Sequence, residues 1–117
     1  MAGCCTPGGY DEFFGAKQAR KDARRYRRRG LGRPAQWIVD TVNERGVDGA
    51  TVLEPGGGVG AIELELLKAG AARSIVVELS GGYDEEAGEL AREAGLEDAV
   101  RPLVEIRLQD LERFEAR

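Results

Sequence analysis

Three acids and a run of glycines are the residues of this sequence best placed to do chemistry. Glu54 is followed by Pro55 and then by Gly56, Gly57, Gly58 and Gly60, four glycines within five positions. Glu78 comes twenty residues after Gly58, and Asp110 follows a third apolar segment. Glycines let a ligand approach bare backbone, and the N–H groups at the start of the following helix point towards it. A strand, a loop without side chains and a helix start, with acids at the strand ends, form a pattern suited to a nucleotide-like cofactor.

Two cofactor chemistries fit this unit. In a dinucleotide site the loop faces a pyrophosphate, and a carboxylate about twenty residues on holds a ribose hydroxyl. Gly56-x-Gly58-x-x-Ala61 satisfies the relaxed form of that pattern, with Glu78 as the acid. S-adenosylmethionine also carries a ribose and an adenine, but a cationic amino acid and a sulfonium replace the pyrophosphate. Glu54 separates the two cases. A carboxylate at the mouth of the first strand attracts a cationic group and repels a phosphate, and at about 4 Å the like-charge contact costs roughly 1–4 kcal/mol.

The elements that position these residues are legible in the apolar spacing. Asp11 to Arg29 is predicted to be a helix, with Phe13, Ala16, Ala19, Ala23 and Tyr26 on one face. A second helix is expected from Pro34 to about Glu44, with Ala35, Ile38 and Val42 inward and Trp37 beside them. Ala50 to Glu54 reads as the first strand, and Ile62 to Ala69 as an apolar helix. Ser74 to Glu78 reads as a second strand, whose continuous apolar run suits burial on both faces. Asp84 to Ala94 is a further helix, and Val100 to Leu108 contains a third strand. The expected fold class is α/β: a Rossmann-like parallel sheet of three strands, preceded by two helices. Ligands of such sheets bind beyond the carboxyl ends of the strands, where Glu54, Glu78 and Asp110 are expected to share a crevice.

At these residues the chain resembles the class I S-adenosylmethionine-dependent methyltransferase family. Glu54-Pro55-Gly56-Gly57-Gly58-Val59-Gly60 looks like its first motif, Val76-Val77-Glu78-Leu79-Ser80 its second, and Leu108-Gln109-Asp110-Leu111 its third. The resemblance implies that Gly56, Gly58 and Gly60 line the methionine portion of the cofactor, with Glu54 polarising that corner. It implies that Glu78 clamps the ribose and that Asp110 meets the adenine. It covers roughly residues 34–111. The family's sheet normally has seven strands, so the chain is expected to be the cofactor-binding part of such an enzyme, with a truncated look and no nameable catalytic residue.

Charge divides the chain. Residues 1–33 hold nine Lys or Arg against three acids, and residues 34–117 hold eight against eighteen. This suggests a basic N-terminal helical arm (1–33) on an acidic cofactor-binding domain (34–117). With Tyr26 alone interrupting the basic run there is little to stack bases on, so nucleic acid is not the expected partner. The arm is read as a face complementing the acidic body, or as attracting an anionic methyl acceptor. Its segment from Cys4-Cys5 to Gly9-Tyr10-Asp11-Glu12-Phe13-Phe14, followed by Arg25-Tyr26-Arg27-Arg28-Arg29-Gly30, resembles the opening of magnesium-protoporphyrin O-methyltransferase-like proteins, which implies a small-molecule acceptor bearing carboxylates.

The remaining composition bounds the rest. No apolar run reaches the roughly 20 residues of a membrane span, no secretory signal is visible, and a cytoplasmic location is expected. Cys4 and Cys5 are adjacent and there is no His, so neither a disulfide framework nor a metal site is expected. Two other readings stand beside methyl transfer. One is an NAD-type oxidoreductase fragment, which Glu54 opposes. The other is a non-catalytic interaction module that self-associates through an exposed sheet edge near Val104.

Overall fold

The computed structural model describes residues 15–78 and 81–103. Helix α1 spans Ala16–Arg29 and α2 spans Arg33–Arg45, with Pro34 in its first turn. Strand β1 (Thr51–Pro55) leads into α3 (Ala61–Lys68), then β2 (Arg73–Val77), α4 (Asp84–Glu93) and β3 (Val100–Leu103). Short 3-10 turns at Gly81–Tyr83 and Glu97–Ala99 flank α4. β1 and β2 pair in parallel with Leu53 opposite Ile75; β3 lies parallel on the far side of β2, with Val100 opposite Ser74. The architecture is a Rossmann-like α/β unit, a parallel sheet preceded by two helices. Phe13, Asp11, Glu12, both cysteines, the segment from Val104 onward and Asp110 lie outside the described residues.

One core holds the helices and sheet together. Leu64, Leu66 and Leu67 of α3 meet Leu90 and Ala91 of α4, Val39 of α2 and Ala19 and Ala23 of α1. Burying each Leu contributes roughly 1.5–3 kcal/mol. Ala19 and Ala23 are fully buried, so α1 sits close to the body. Gly82 sets that distance: a Cβ there would lie 2.6 Å from the Ala16 nitrogen and 2.8 Å from the Gly15 carbonyl carbon.

Polar contacts fasten the same helix. The Tyr83 hydroxyl donates to Asp22 (3.1 Å), the Tyr26 hydroxyl donates to Glu65 of α3, and Arg27 forks onto Glu93 of α4 (2.9 and 3.0 Å). Arg27 also lies within 3.9 Å of Glu86 and 3.7 Å of Glu89. Arg27 thus complements the acidic face of α4.

Two expectations about faces are corrected. Helix α2 turns Val39 inward rather than Ile38; Ile38 is 42% and Trp37 69% exposed. Ala35, Val39 and Val42 are also spaced four and three apart, and this alternative stripe is the one that docks on α3. β2 is not buried on both faces among the described residues. Ser74 and Val76 are buried beneath α3, but Ile75 and Val77 are only half-buried, and Leu53 beside them is 60% exposed. The described helix that packs on β1 and β2 covers one face, and the apolar run in β2 exceeds what that face requires.

Candidate functional site

The chain leaves β1 at Pro55 and reaches α3 through Gly56–Gly60. The Gly56 N–H donates to the Val77 carbonyl (2.6 Å), tying the loop to the end of β2. Gly56, Gly58 and Gly60 have φ of 67°, 58° and 80°, left-handed values that L side chains rarely adopt. The surroundings of each glycine differ. A Cβ on Gly56 would meet nothing within 4 Å, and one on Gly58 would make ordinary contact with the Tyr83 ring at 3.7 Å. A Cβ on Gly57 would lie 2.5 Å from Glu63 Oε1 and 2.9 Å from Val76 Cγ1; one on Gly60 would lie 2.8 Å from Glu63 Oε2. Two glycines therefore leave backbone open, and two make room for a buried carboxyl.

That carboxyl is the buried residue sequence reasoning missed. Glu63 lies in the first turn of α3, where an acid is ordinarily a solvated partner of the helix dipole. Here it is 1% exposed. The signal was the spacing: Glu63 stands three and four residues before Leu66 and Leu67, on the same inward stripe. Burial raises the Glu63 pKa far above its ordinary 4.5, and the neighbouring Glu54 and Glu78 carboxyls add to the rise. Glu54 Oε2 and Glu63 Oε1 are buried and have no hydrogen-bond partner among the described residues.

Glu78 emerges from the end of β2, and its Oε2 accepts the Gly58 N–H at 2.9 Å. Burial and the Glu78 charge raise the pKa of nearby Asp84. Tyr83 holds its phenolic proton more tightly than usual, through burial and then the adjacent Asp22 charge.

Two cavities flank the loop. One, of about 250 Å3, is lined by Gly58, Gly60, Glu63, Glu78 and Asp84, with α4 as its far wall. The other, of about 420 Å3, lies between the loop and the α1–α2 connection and is lined by Glu54, Gly56, Gly58, Asp22 and Arg25. Gly58 and Val59 line both. The structure therefore brings Glu54, Gly56, Gly58, Gly60 and Glu78 around one loop. Glu54 lines one of the two adjoining cavities and Glu78 the other. Asp110, the expected adenine contact, falls outside the described residues.

Among the described residues no group of three or more Cys, Asp or Glu is placed to hold a metal ion, and no helix is long and apolar enough to cross a membrane.

No protein-family model and no curated protein matches the sequence. A solved structure does match: an S-adenosylmethionine-dependent methyltransferase from Geobacter sulfurreducens, in complex with S-adenosyl-L-homocysteine. The TM-score is 0.53 at 19% identity, and the match covers 64% of this chain and 30% of that one. This likeness shows a shared Rossmann-type fold, over less than a third of the other protein's length.

Proposed function

We propose that the glycine loop binds S-adenosylmethionine and that the chain supports methyl transfer to a small acceptor. The observation that carries this reading is that carboxylates stand on the glycine loop from both strand ends, Glu54 lining a cavity with Gly56 and Gly58 and Glu78 accepting the Gly58 N–H. A site of this sign suits a ligand with an ammonium and a sulfonium. It disfavours a pyrophosphate, and the Gly58 N–H that a phosphate would use already donates to Glu78.

In this reading Glu54 faces the cationic methionine end and Glu78 accepts the ribose hydroxyls. Gly56 and Gly58 admit the ligand to the backbone, and Gly60 gives the turn into α3. The bound ligand supplies an electrophilic methyl group on a good leaving group, so the residues of the chain need only hold it and the acceptor in line. Arg25, on the wall of the cavity that Glu54 also lines, supports an anionic acceptor.

Calorimetric titration with S-adenosylhomocysteine and with NAD tests the reading. Binding of the first alone is expected, and Glu78→Ala should weaken it by about tenfold, or roughly 1.4 kcal/mol. Binding of NAD alone would replace the proposal with a dinucleotide site. Binding of neither would favour an interaction module, for which the 60% exposure of Leu53 on the uncovered sheet face is the specific support.

A further inference from the structure

Helix α1 carries a row of positive charges to which the functional reading gives no role. Lys17, Lys21, Arg24 and Arg28 follow one another at steps of four, three and four, which puts them on one stripe, with Arg20 beside it. All five are exposed. At a rise of about 1.5 Å per residue the stripe runs for about 16 Å. The opposite face of the helix is committed to the body: Ala19 and Ala23 are fully buried, and the Tyr26 hydroxyl donates to Glu65. Asp22 is the only acid of α1, and it is turned away from the stripe, accepting hydrogen bonds from Gln18 Nε2 (2.8 Å) and the Tyr83 hydroxyl (3.1 Å). Among the described residues, Arg27 is the one basic residue of α1 with an ion pair, and it lies on the α4 side. The positive charge of the helix is thus not absorbed by the acidic body, since Arg27 alone meets it and the stripe faces outward.

We propose that this stripe is a docking surface for the phosphate backbone of a double-stranded nucleic acid, bound without regard to sequence. The occupant follows from what the stripe has and what it lacks. A duplex carries one negative charge per roughly 1.7 Å of its axis, and a line of Lys and Arg meets such a backbone by charge alone. The scarcity of aromatic residues, from which the sequence argues against nucleic acid, applies to single strands, which are held by stacking; contacts to a duplex backbone need none. A stable protein interface has an apolar or aromatic centre, and the stripe has neither. A helix that settles into a bilayer surface needs a free apolar face, whereas the apolar face of α1 is packed in the core. That packing also means that the backbone carrying the charges is already ordered, so less freedom is lost on binding. None of the five residues lines either cavity beside the glycine loop, so the inference stands apart from the binding of S-adenosylmethionine.

The test is fluorescence anisotropy of the full chain with a labelled duplex of about 20 base pairs, in roughly 50–200 mM KCl. Binding is expected with a dissociation constant of about 1–100 μM near physiological salt, within about twofold for two unrelated duplex sequences. Its logarithm should change with the logarithm of salt at a slope of roughly 2.7–4.5 in magnitude, as for about three to five neutralised phosphates. A double variant at the middle of the stripe, Lys21→Gln with Arg24→Gln, should reduce that slope by about 2 and the low-salt affinity by about tenfold or more. No binding at low salt, binding insensitive to salt, or an unchanged slope in the double variant overturns the proposal. Tighter binding to a single strand of the same length, or to vesicles of phosphatidylserine and phosphatidylcholine, overturns it in favour of that surface. Both substituted side chains are exposed, so the fold is expected to stand. Should the variant not fold, the wild-type salt slope and the comparison of probes still decide, since neither needs it.

Discussion

Gly57 and Gly60 face inward onto the Glu63 carboxyl, whereas Gly56 faces open space and Gly58 the edge of the Tyr83 ring. The same residue type is thus used twice within one short loop for different physical reasons. Inward, the missing side chain is volume given to a buried acid. Outward, it is access to backbone. A glycine-rich loop in a sequence is easily read as wholly devoted to a ligand; here about half of it serves packing, and the packed group is itself ionisable.

Substitutions can break or sharpen this contrast. Gly60→Ala should have the largest effect. It combines a left-handed backbone penalty of roughly 1–2 kcal/mol with overpacking against Glu63 worth about 1–3 kcal/mol. Urea unfolding would measure it, and in a double-mutant cycle Glu63→Ala should recover the overpacking part. Strict additivity of the two would remove Glu63 as the reason for the inward glycines.

Glu63→Gln comes next and has the opposite sign. Because the folded state raises the Glu63 pKa above its unfolded value, the folded state holds the extra proton above about pH 4.5. Its contribution is therefore fully present below that pH and is lost as pH rises towards the folded-state value. The amide carries no such dependence, so Glu63→Gln should be more stable than wild type near pH 7 by about 1–3 kcal/mol and should flatten the pH profile of thermal unfolding. Parallel profiles would mean that Glu63 is charged in the folded protein.

Gly56→Ala is expected to cost roughly 1–2 kcal/mol of stability, since left-handed strain is not joined by a clash. Its loss of affinity for S-adenosylhomocysteine should exceed that of Gly60→Ala. The reverse order would invert the assignment of inner and outer glycines. Arg27→Ala should have the smallest effect, a slight lowering of the melting temperature at low salt that disappears at high salt, because its ion pairs with α4 are exposed. A salt-insensitive loss would mean that the Arg27 stem, not its charge, holds α1 in place.

Much of this was readable in the sequence, for identifiable reasons. Pro34, the β-favouring run before Glu54 and the glycines after Pro55 each report a local backbone requirement, so the order of elements and the position of the loop follow from them. Glu54 and Glu78 stood out because strand ends in a parallel sheet face a ligand. What was not readable depended on how elements rotate against one another. Ala35–Ile38–Val42 and Ala35–Val39–Val42 are both valid helical stripes, and only docking on α3 selects the second. Glu63 sits in a first helical turn, where an acid ordinarily faces solvent, and the same docking turns it inward with Leu66 and Leu67. Which cavity Glu54 and Glu78 each line was likewise hidden, because in a loop of four glycines Val59 alone offers a side chain to read.

The central claim is that the outward face of the loop receives an adenosyl ligand while the inward face does not. Amide chemical-shift mapping of 15N-labelled protein titrated with S-adenosylhomocysteine tests it most directly. The account predicts the largest perturbations at the Gly56 and Gly58 amides, the latter losing or reshaping its bond to Glu78, with smaller changes at Gly57. Perturbations centred on Gly57 and α3 that leave Gly56 and Gly58 unmoved, or none at all at saturating ligand, would contradict it.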